Sequence, residues 1–157
     1  MTELALDDLD RRILTLLQQD ASLTNHALAT RVHASPPTCL RRVRKLKESG
    51  VIQRTVAILD RSKLGATLTA IIEVTLDKQS AEDLSAFERH IQSEPAVMQC
   101  YRVSPGPDFV LTVEIADMPA YHQLAHQLFA GTANVRNVRT FFATHCAKFE
   151  VHTPLRD

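Results

Sequence analysis

Several common devices are missing from this 157-residue chain. It has no tryptophan, only two tyrosines and only four glycines, at positions 50, 65, 106 and 131. Neither a glycine-rich phosphate loop nor a G-x-S-x-G nucleophile elbow can be assembled from glycines so placed. Paired carboxylates suited to acid–base work are absent as well, so no catalytic residue is expected. Cysteine occurs three times, at Cys39, Cys100 and Cys146, without C-x-x-C spacing, which points to neither a zinc site nor a disulfide framework. No apolar run approaches the length of about 20 residues that spans a bilayer. Met1 leads into an acidic segment with no basic n-region and no apolar h-region, so a soluble, cytoplasmic protein is expected. An apolar content of 45% supplies packed cores and argues against disorder, and the length suits one domain or two small ones.

Net charge is absent too, with 18 basic and 18 acidic residues, but their distribution is uneven. Residues 1–64 hold 11 Lys/Arg against 7 Asp/Glu, leaving 7 against 11 for residues 65–157, a balance of +4 followed by −4. Such a split suggests two modules with different partners, only the first suited to a polyanion. Much of the positive charge falls in residues 34–54. Ser35 is a good N-cap there, Pro36 suits the first helical position, and Gly50 supplies a left-handed stop. Cys39, Leu40, Val43 and Leu46 are expected on one apolar face, with Cys39 in the core. Thr38, Arg41, Arg42, Arg44 and Lys45 point away from it. A helix apolar on one side and cationic on the other fits a duplex groove and its phosphates, although a solvated surface helix would share the pattern.

The neighbouring segments favour DNA. Thr24 caps a short helix through Leu28, Ala29 and Val32, and His33-Ala34 leaves a tight turn before Ser35. Upstream, Leu9, Ile13, Leu16 and Leu17 follow helical spacing, with Asp7, Asp8 and Asp10 favouring the N-terminus. Three short helices with that turn make a helix-turn-helix, and the β-branched run Val51–Leu59 predicts a wing strand. In such a motif Ser35, Pro37 and Thr38 would lie nearest base edges, with Pro36 at the same DNA-binding end, and Arg41, Arg42, Arg44 and Lys45 nearest phosphates.

Beyond residue 66 the period changes. Leu68–Leu76 alternates as a strand, Ser80 caps a helix carrying Leu84, Phe87 and Ile91, and Val97–Val103 reads as a second strand. Phe109–Ile115 gives a third strand, Met118–Ala130 a helix and Val138–His145 a fourth strand, with a short fifth over Lys148–Val151. The order βαββαβ predicts a ferredoxin-like sandwich, so the fold class is α+β. Expected domains are 1–60, a winged helix-turn-helix; 61–66, a linker; and 67–157, the sandwich. The open sheet face, with Ile71, Arg102, Phe141 and Ala143, would need covering, and pairing with a second copy would do that.

Three stretches together resemble the Lrp/AsnC (feast/famine) transcriptional regulators: Leu9-Asp10-Arg11-Arg12-Ile13-Leu14-x-x-Leu17-Gln18-x-Asp20; Ser35-Pro36-x-x-Cys39-x-x-Arg42-Val43-x-x-Leu46-x-x-x-Gly50-Val51-Ile52; and Asp108-Phe109-Val110-Leu111. The resemblance runs in order over nearly the whole chain. It implies a DNA-binding regulator whose second domain forms dimers, assembles them into tetramers or octamers, and senses an amino acid between subunits. The implied effector site lies near the loop Ser104-Pro105-Gly106-Pro107-Asp108. Met118, Thr140, Phe141 and Ala143 are expected to complete it, the last three from a neighbouring subunit if need be. Family members usually carry glycine directly after the Ser/Thr of this loop, whereas here it is displaced by one and flanked by prolines. Pro105 and Pro107 carry no N–H, which leaves Gly106 and Asp108 as the main backbone donors to an effector carboxylate. Asp108 would accept from the ammonium, or it would cap its own turn. Some proteins similar to this family are decarboxylases bearing a histidine after the wing. Arg54–Asp60 has none, and a regulator is expected rather than an enzyme. Cofactors and metals are not expected, and His122 and His126, although spaced i, i+4, read as surface or interface residues.

Overall fold

The computed structural model describes residues 5–60, 63–65, 67–131 and 134–155. They form two compact units, one of residues up to Ile58 joined by the chain from Lys148 onward, the other Leu59–Ala147.

In the first unit α1 spans Asp8–Gln19, α2 Asn25–Arg31 and α3 Pro36–Glu48. Each helix starts on a side-chain cap. Asp7 and Asp10 form a reciprocal capping box, Thr24 accepts from the Ala27 N–H, and Ser35 accepts from the Thr38 N–H. The α2–α3 turn places His33 at φ +54°, and the Ala34 N–H closes onto the Ala29 carbonyl at 3.0 Å. Ile13, Leu14, Leu28, Ala29, Val32, Cys39 and Leu46 are buried together. These are the helical-period positions of all three helices, except that Leu40 lies outside the cluster and is 58% exposed. Its expected place in the core is therefore corrected. Cys39, Val43 and Leu46 repeat at i, i+4 and i+7, while Leu40 shares its stripe with Pro37, Arg44 and Lys47.

Gly50, at φ +77°, turns the chain, and the Ile52 N–H returns to the Leu46 carbonyl. The wing strand expected over Val51–Leu59 is not formed. That segment carries no ladder hydrogen bonds among the described residues, and Val56, Ile58 and Leu59 are each more than 60% exposed. Extended propensity does not make a strand without a partner for its backbone groups. The short fifth strand over Lys148–Val151 is also absent, and the second unit ends at Ala147 rather than continuing to 157. The tail instead lies on α1. The Gln18 amide donates to the Thr153 carbonyl at 3.1 Å and accepts from the Thr153 N–H, and Leu155 packs against the helical core. Of the expected linker 61–66, residues 61, 62 and 66 lie outside the described residues.

The second unit is a four-stranded antiparallel sheet ordered β2-β3-β1-β4. Its strands are β1 Leu68–Leu76, β2 Val97–Arg102, β3 Phe109–Ile115 and β4 Val135–Phe142. Two helices cover one face: α4, Ala81–Gln92, and α5, Met118–Ala125, which runs on as a π-helical turn over His126–Ala130. The core combines alternate residues of β1 (Ala70, Ile72, Val74, Leu76) and β3 (Phe109, Leu111, Val113, Ile115) with Phe87, Ile91, Leu124 and Leu128 of the helices. β4 begins three residues earlier than expected and ends at Phe142.

The opposite face carries Ile71 directly opposite Phe141, 40% and 44% exposed, with Tyr101 opposite Val110. Arg102, expected on this face, is on the other. It lies opposite buried Phe109 and pairs with Glu88 of α4 at 2.8 Å, because a two-residue period puts it one step from Tyr101.

Candidate functional site

The outward surface of α3 holds most of the residues expected to meet DNA. Ser35, Pro36 and Pro37 are exposed at its N-terminus. The Ser35 hydroxyl donates to that of half-buried Thr38 at 2.8 Å, and the Pro36 carbonyl accepts from the Asn25 side chain at 2.9 Å, fixing the start of α3 against α2. Arg41, Arg44 and Lys45 are exposed. Arg41 and Lys45 have no acidic partner among the described residues, and Arg44 reaches Glu48 at 2.7 Å in a pair open to solvent. Such an exposed i, i+4 pair is worth little and yields readily to a phosphate.

Arg42 stands apart from that set. Its guanidinium meets Asp7 at 2.6 Å and Asp10 at 3.1 Å, and Asp10 is only 2% exposed. The Asp10 amide, with the Arg42 guanidinium behind it, holds the Asp7 carboxyl below its ordinary value of 3.8. The same contact with Asp7 raises the affinity of Arg42 for its proton. Arg42 is thereby a tie between α1 and α3, on the opposite flank of the helix from Arg44. Burial pushes the Cys39 thiol up, in keeping with a core residue. The residue of α3 that sequence periodicity misassigned is Leu40, which is exposed rather than in the core. Its signal was present in the charged residues Arg44 and Lys47, four and seven positions further on.

In the second unit the loop of residues 104–108 connects β2 to β3, with a cis Ser104–Pro105 peptide and Gly106 at φ +122°. Only a residue without Cβ adopts that φ freely. Asp108 is engaged through both its backbone and its side chain, and its carbonyl accepts from the Val103 N–H at 3.0 Å. Its N–H donates to the Val74 carbonyl at 2.9 Å, and its Oδ2 accepts from the Leu76 N–H at 2.7 Å and from the Gln79 amide at 3.2 Å. Of the two backbone donors expected for an effector carboxylate, the Asp108 N–H is therefore already spent on the fold.

Of the remaining expected effector residues, Thr140 and Phe141 lie opposite Ile72 and Ile71 in the middle of β1, and only Ala143 and Met118 lie toward the far end of the same sheet. Ala143 donates its N–H to Thr69, and Met118, 40% exposed, opens the helix that follows Ile115, the partner of Leu68. At about 3.3 Å per residue, the span from Leu76 to Thr69 is about 23 Å. Thr140 and Phe141 also face opposite ways. Thr140 lies opposite buried Ile72 and its hydroxyl meets that of Tyr121 at 2.5 Å, whereas Phe141 is on the open face beside Arg139. One subunit therefore cannot bring the loop, Met118, Thr140, Phe141 and Ala143 around one small molecule. His122 and His126 are both exposed, and no group of three metal-ligating side chains occurs among the described residues. No helix among those residues is long and apolar enough to cross a membrane.

A cationic helix presented by a helix-turn-helix, followed by a separate α+β sandwich, defines a DNA-binding regulator with a sensory domain. Residues 6–53 match the winged helix-turn-helix DNA-binding family, and residues 69–150 match the Lrp/AsnC ligand binding domain. The chain belongs to the Lrp/AsnC family of transcriptional regulators. It is 40% identical to the leucine-responsive regulatory protein of Rhizobium meliloti (strain 1021), over 91% of this chain and 92% of that one. With the leucine-responsive regulatory protein of Escherichia coli (strain K12) it shares 35% identity, over 87% and 83%. Among solved structures, an AsnC family transcriptional regulator from Agrobacterium tumefaciens superposes with a TM-score of 0.88 at 34% identity, covering 95% of this chain and 97% of that one. A transcriptional regulator from Neisseria meningitidis, solved as a complex with L-Met, gives 0.86 at 27% identity, covering 96% and 97%. The relatives are regulators rather than enzymes, and so is this chain.

Proposed function

We propose that this regulator acts in the cytoplasm as a homo-oligomer and binds an amino acid between subunits of its second domain. The distance of Met118 and Ala143 from the loop along one sheet, with Thr140 and Phe141 on opposite faces between them, carries the reading. In an assembly the loop of one subunit can meet the Met118 end, or the open-face Phe141, of another. The open sheet face supports it, since Ile71, Tyr101 and Phe141 are a poor surface for a lone subunit and a good one for an isologous pair. The L-Met bound to the Neisseria relative supports the ligand class.

At the pocket, the Gly106 N–H meets the effector carboxylate and the free side of the Asp108 carboxylate meets its ammonium. On DNA, Arg41, Arg44 and Lys45 contact phosphates while Ser35, Pro37 and Thr38 approach base edges, and Arg42 holds α3 in place through Asp7 and Asp10. The test is calorimetry with the twenty amino acids on the parent and on Asp108→Asn, alongside sedimentation with and without the best binder. Binding that Asp108→Asn weakens, on a particle larger than a monomer, is the expected result. Binding undiminished in the variant would move the site elsewhere, and a monomer that still binds would refute the shared pocket.

A further inference from the structure

Leu40 is the one large apolar side chain of α3 left open to solvent, 58% exposed at the fifth position of a thirteen-residue helix. Cys39 on one side of it is fully buried, and Leu46, two turns on, is 1% exposed. The helical core is therefore complete without Leu40. Exposed leucines scattered over a protein surface need no explanation. This one differs in its position, sharing its stripe with Pro37, Arg44 and Lys47 on the cationic side of the helix. It stands in the N-terminal half of α3, the part of a recognition helix that comes nearest base edges. A hydrogen-bonding side chain there would read donors and acceptors. An isobutyl group can read only an apolar feature, and the major groove offers one, the 5-methyl group of thymine.

We propose that Leu40 determines sequence preference by packing against a thymine 5-methyl group in the major groove. The inference rests on the assignment of α3 as the DNA-reading helix and adds to it a base identity. The guanidinium of Arg44, one turn away, would fix the helix on the backbone, and Leu40 would then exclude water from between its methyls and the base. Replacing thymine by uracil removes that methyl and leaves the base's hydrogen-bonding edge intact. The substitution thus isolates the apolar contact from every polar one.

The experiment uses the full chain. A preferred duplex is first selected from a randomised pool, and each thymine in it is then replaced in turn by uracil. Removing one buried methyl group should weaken the parent about fourfold at one thymine of a half-site. Leu40→Ala should bind the thymine and uracil duplexes alike, and Leu40→Met, which keeps an apolar reach, should restore part of the difference. Arg44→Ala should weaken both duplexes equally while the thymine preference persists, which reports the assignment of α3 separately. The proposal is overturned if no uracil substitution affects the parent, or if Leu40→Ala retains the full thymine preference. A parent and an Arg44→Ala variant with identical affinities and salt dependence would instead overturn the assignment of α3 itself.

Discussion

Replacing Asp108 by alanine should damage the fold before it reports on any effector. In the structure its Oδ2 accepts from the Leu76 N–H at 2.7 Å, and Leu76 is 1% exposed at the end of β1. Alanine would strand that backbone donor where water replaces the carboxylate poorly, and it would also release the Gln79 amide. A hydrogen bond to a charged group contributes about 1.5–3 kcal/mol, so a loss of about 2 kcal/mol is expected. With a urea dependence of about 2 kcal/mol per molar, the unfolding midpoint should fall by about 1 M. Asp108→Asn keeps an acceptor oxygen for Leu76 and should lose markedly less, while removing the charge that an effector ammonium would meet. The protein supplies its own local probe. It has no tryptophan, and both tyrosines, Tyr101 and Tyr121, belong to the second unit, so tyrosine fluorescence follows that unit alone. Urea titrations at fixed protein concentration on the three proteins make the comparison. If Asp108→Ala unfolds together with the parent, the carboxylate is not holding β1 and the reasoning fails. If it unfolds early while the asparagine variant does not, ligand binding must be judged on Asp108→Asn.

Arg44→Ala should lower affinity for every duplex and reduce the salt slope by about 1, as expected for one lost phosphate contact, read from binding isotherms over a range of salt. Arg42→Ala should instead destabilise the helical unit in thermal melts followed by circular dichroism, because Asp10 loses its guanidinium. The Asp7 carboxyl titrates below 3.8 when folded, so its stabilisation is complete above the unfolded carboxylate value and is lost as pH falls through the folded one. Asp7→Asn should accordingly flatten the acid limb of those melts. Phe141→Asp would place an unpaired charge on the open sheet face and should cost several kcal/mol of association if that face is an interface. Sedimentation at micromolar concentration should then show a smaller particle, and an unchanged mass would assign the interface elsewhere. Leu155→Ala should lower the stability of the helical unit by about 1–3 kcal/mol without moving the tyrosine-detected transition, since Leu155 is a partly buried member of the first core.

Where a segment's partners lie within a few residues, the sequence was nearly sufficient. Thr24, Ser35 and Ser80 are all found capping the helices they were expected to cap, because a cap needs only a side-chain oxygen and an N–H three residues away. The two-residue period of β1 and β3 was equally legible, since both strands bury one complete face under the helices. The errors cluster where a residue's fate depends on something distant in the chain. Residues 51–59 have the composition of a strand, yet a ladder requires a neighbour that this chain does not provide among its described residues. The tail after Lys148 reads as a short strand until Gln18, 135 positions from Thr153, supplies a side-chain amide that imitates one. Arg42 counts as one more cation on a basic helix until the capping carboxylates of α1 are brought against it, 32 positions away for Asp10. Charge on a helix therefore states how much basic surface is available, whereas the division between binding and holding is decided by the partner across the fold. Arg42 shows the division directly: the box of carboxylates that starts α1 also anchors α3, so in the proposed DNA-binding surface the charge at that position holds the helix that presents Arg41, Arg44 and Lys45.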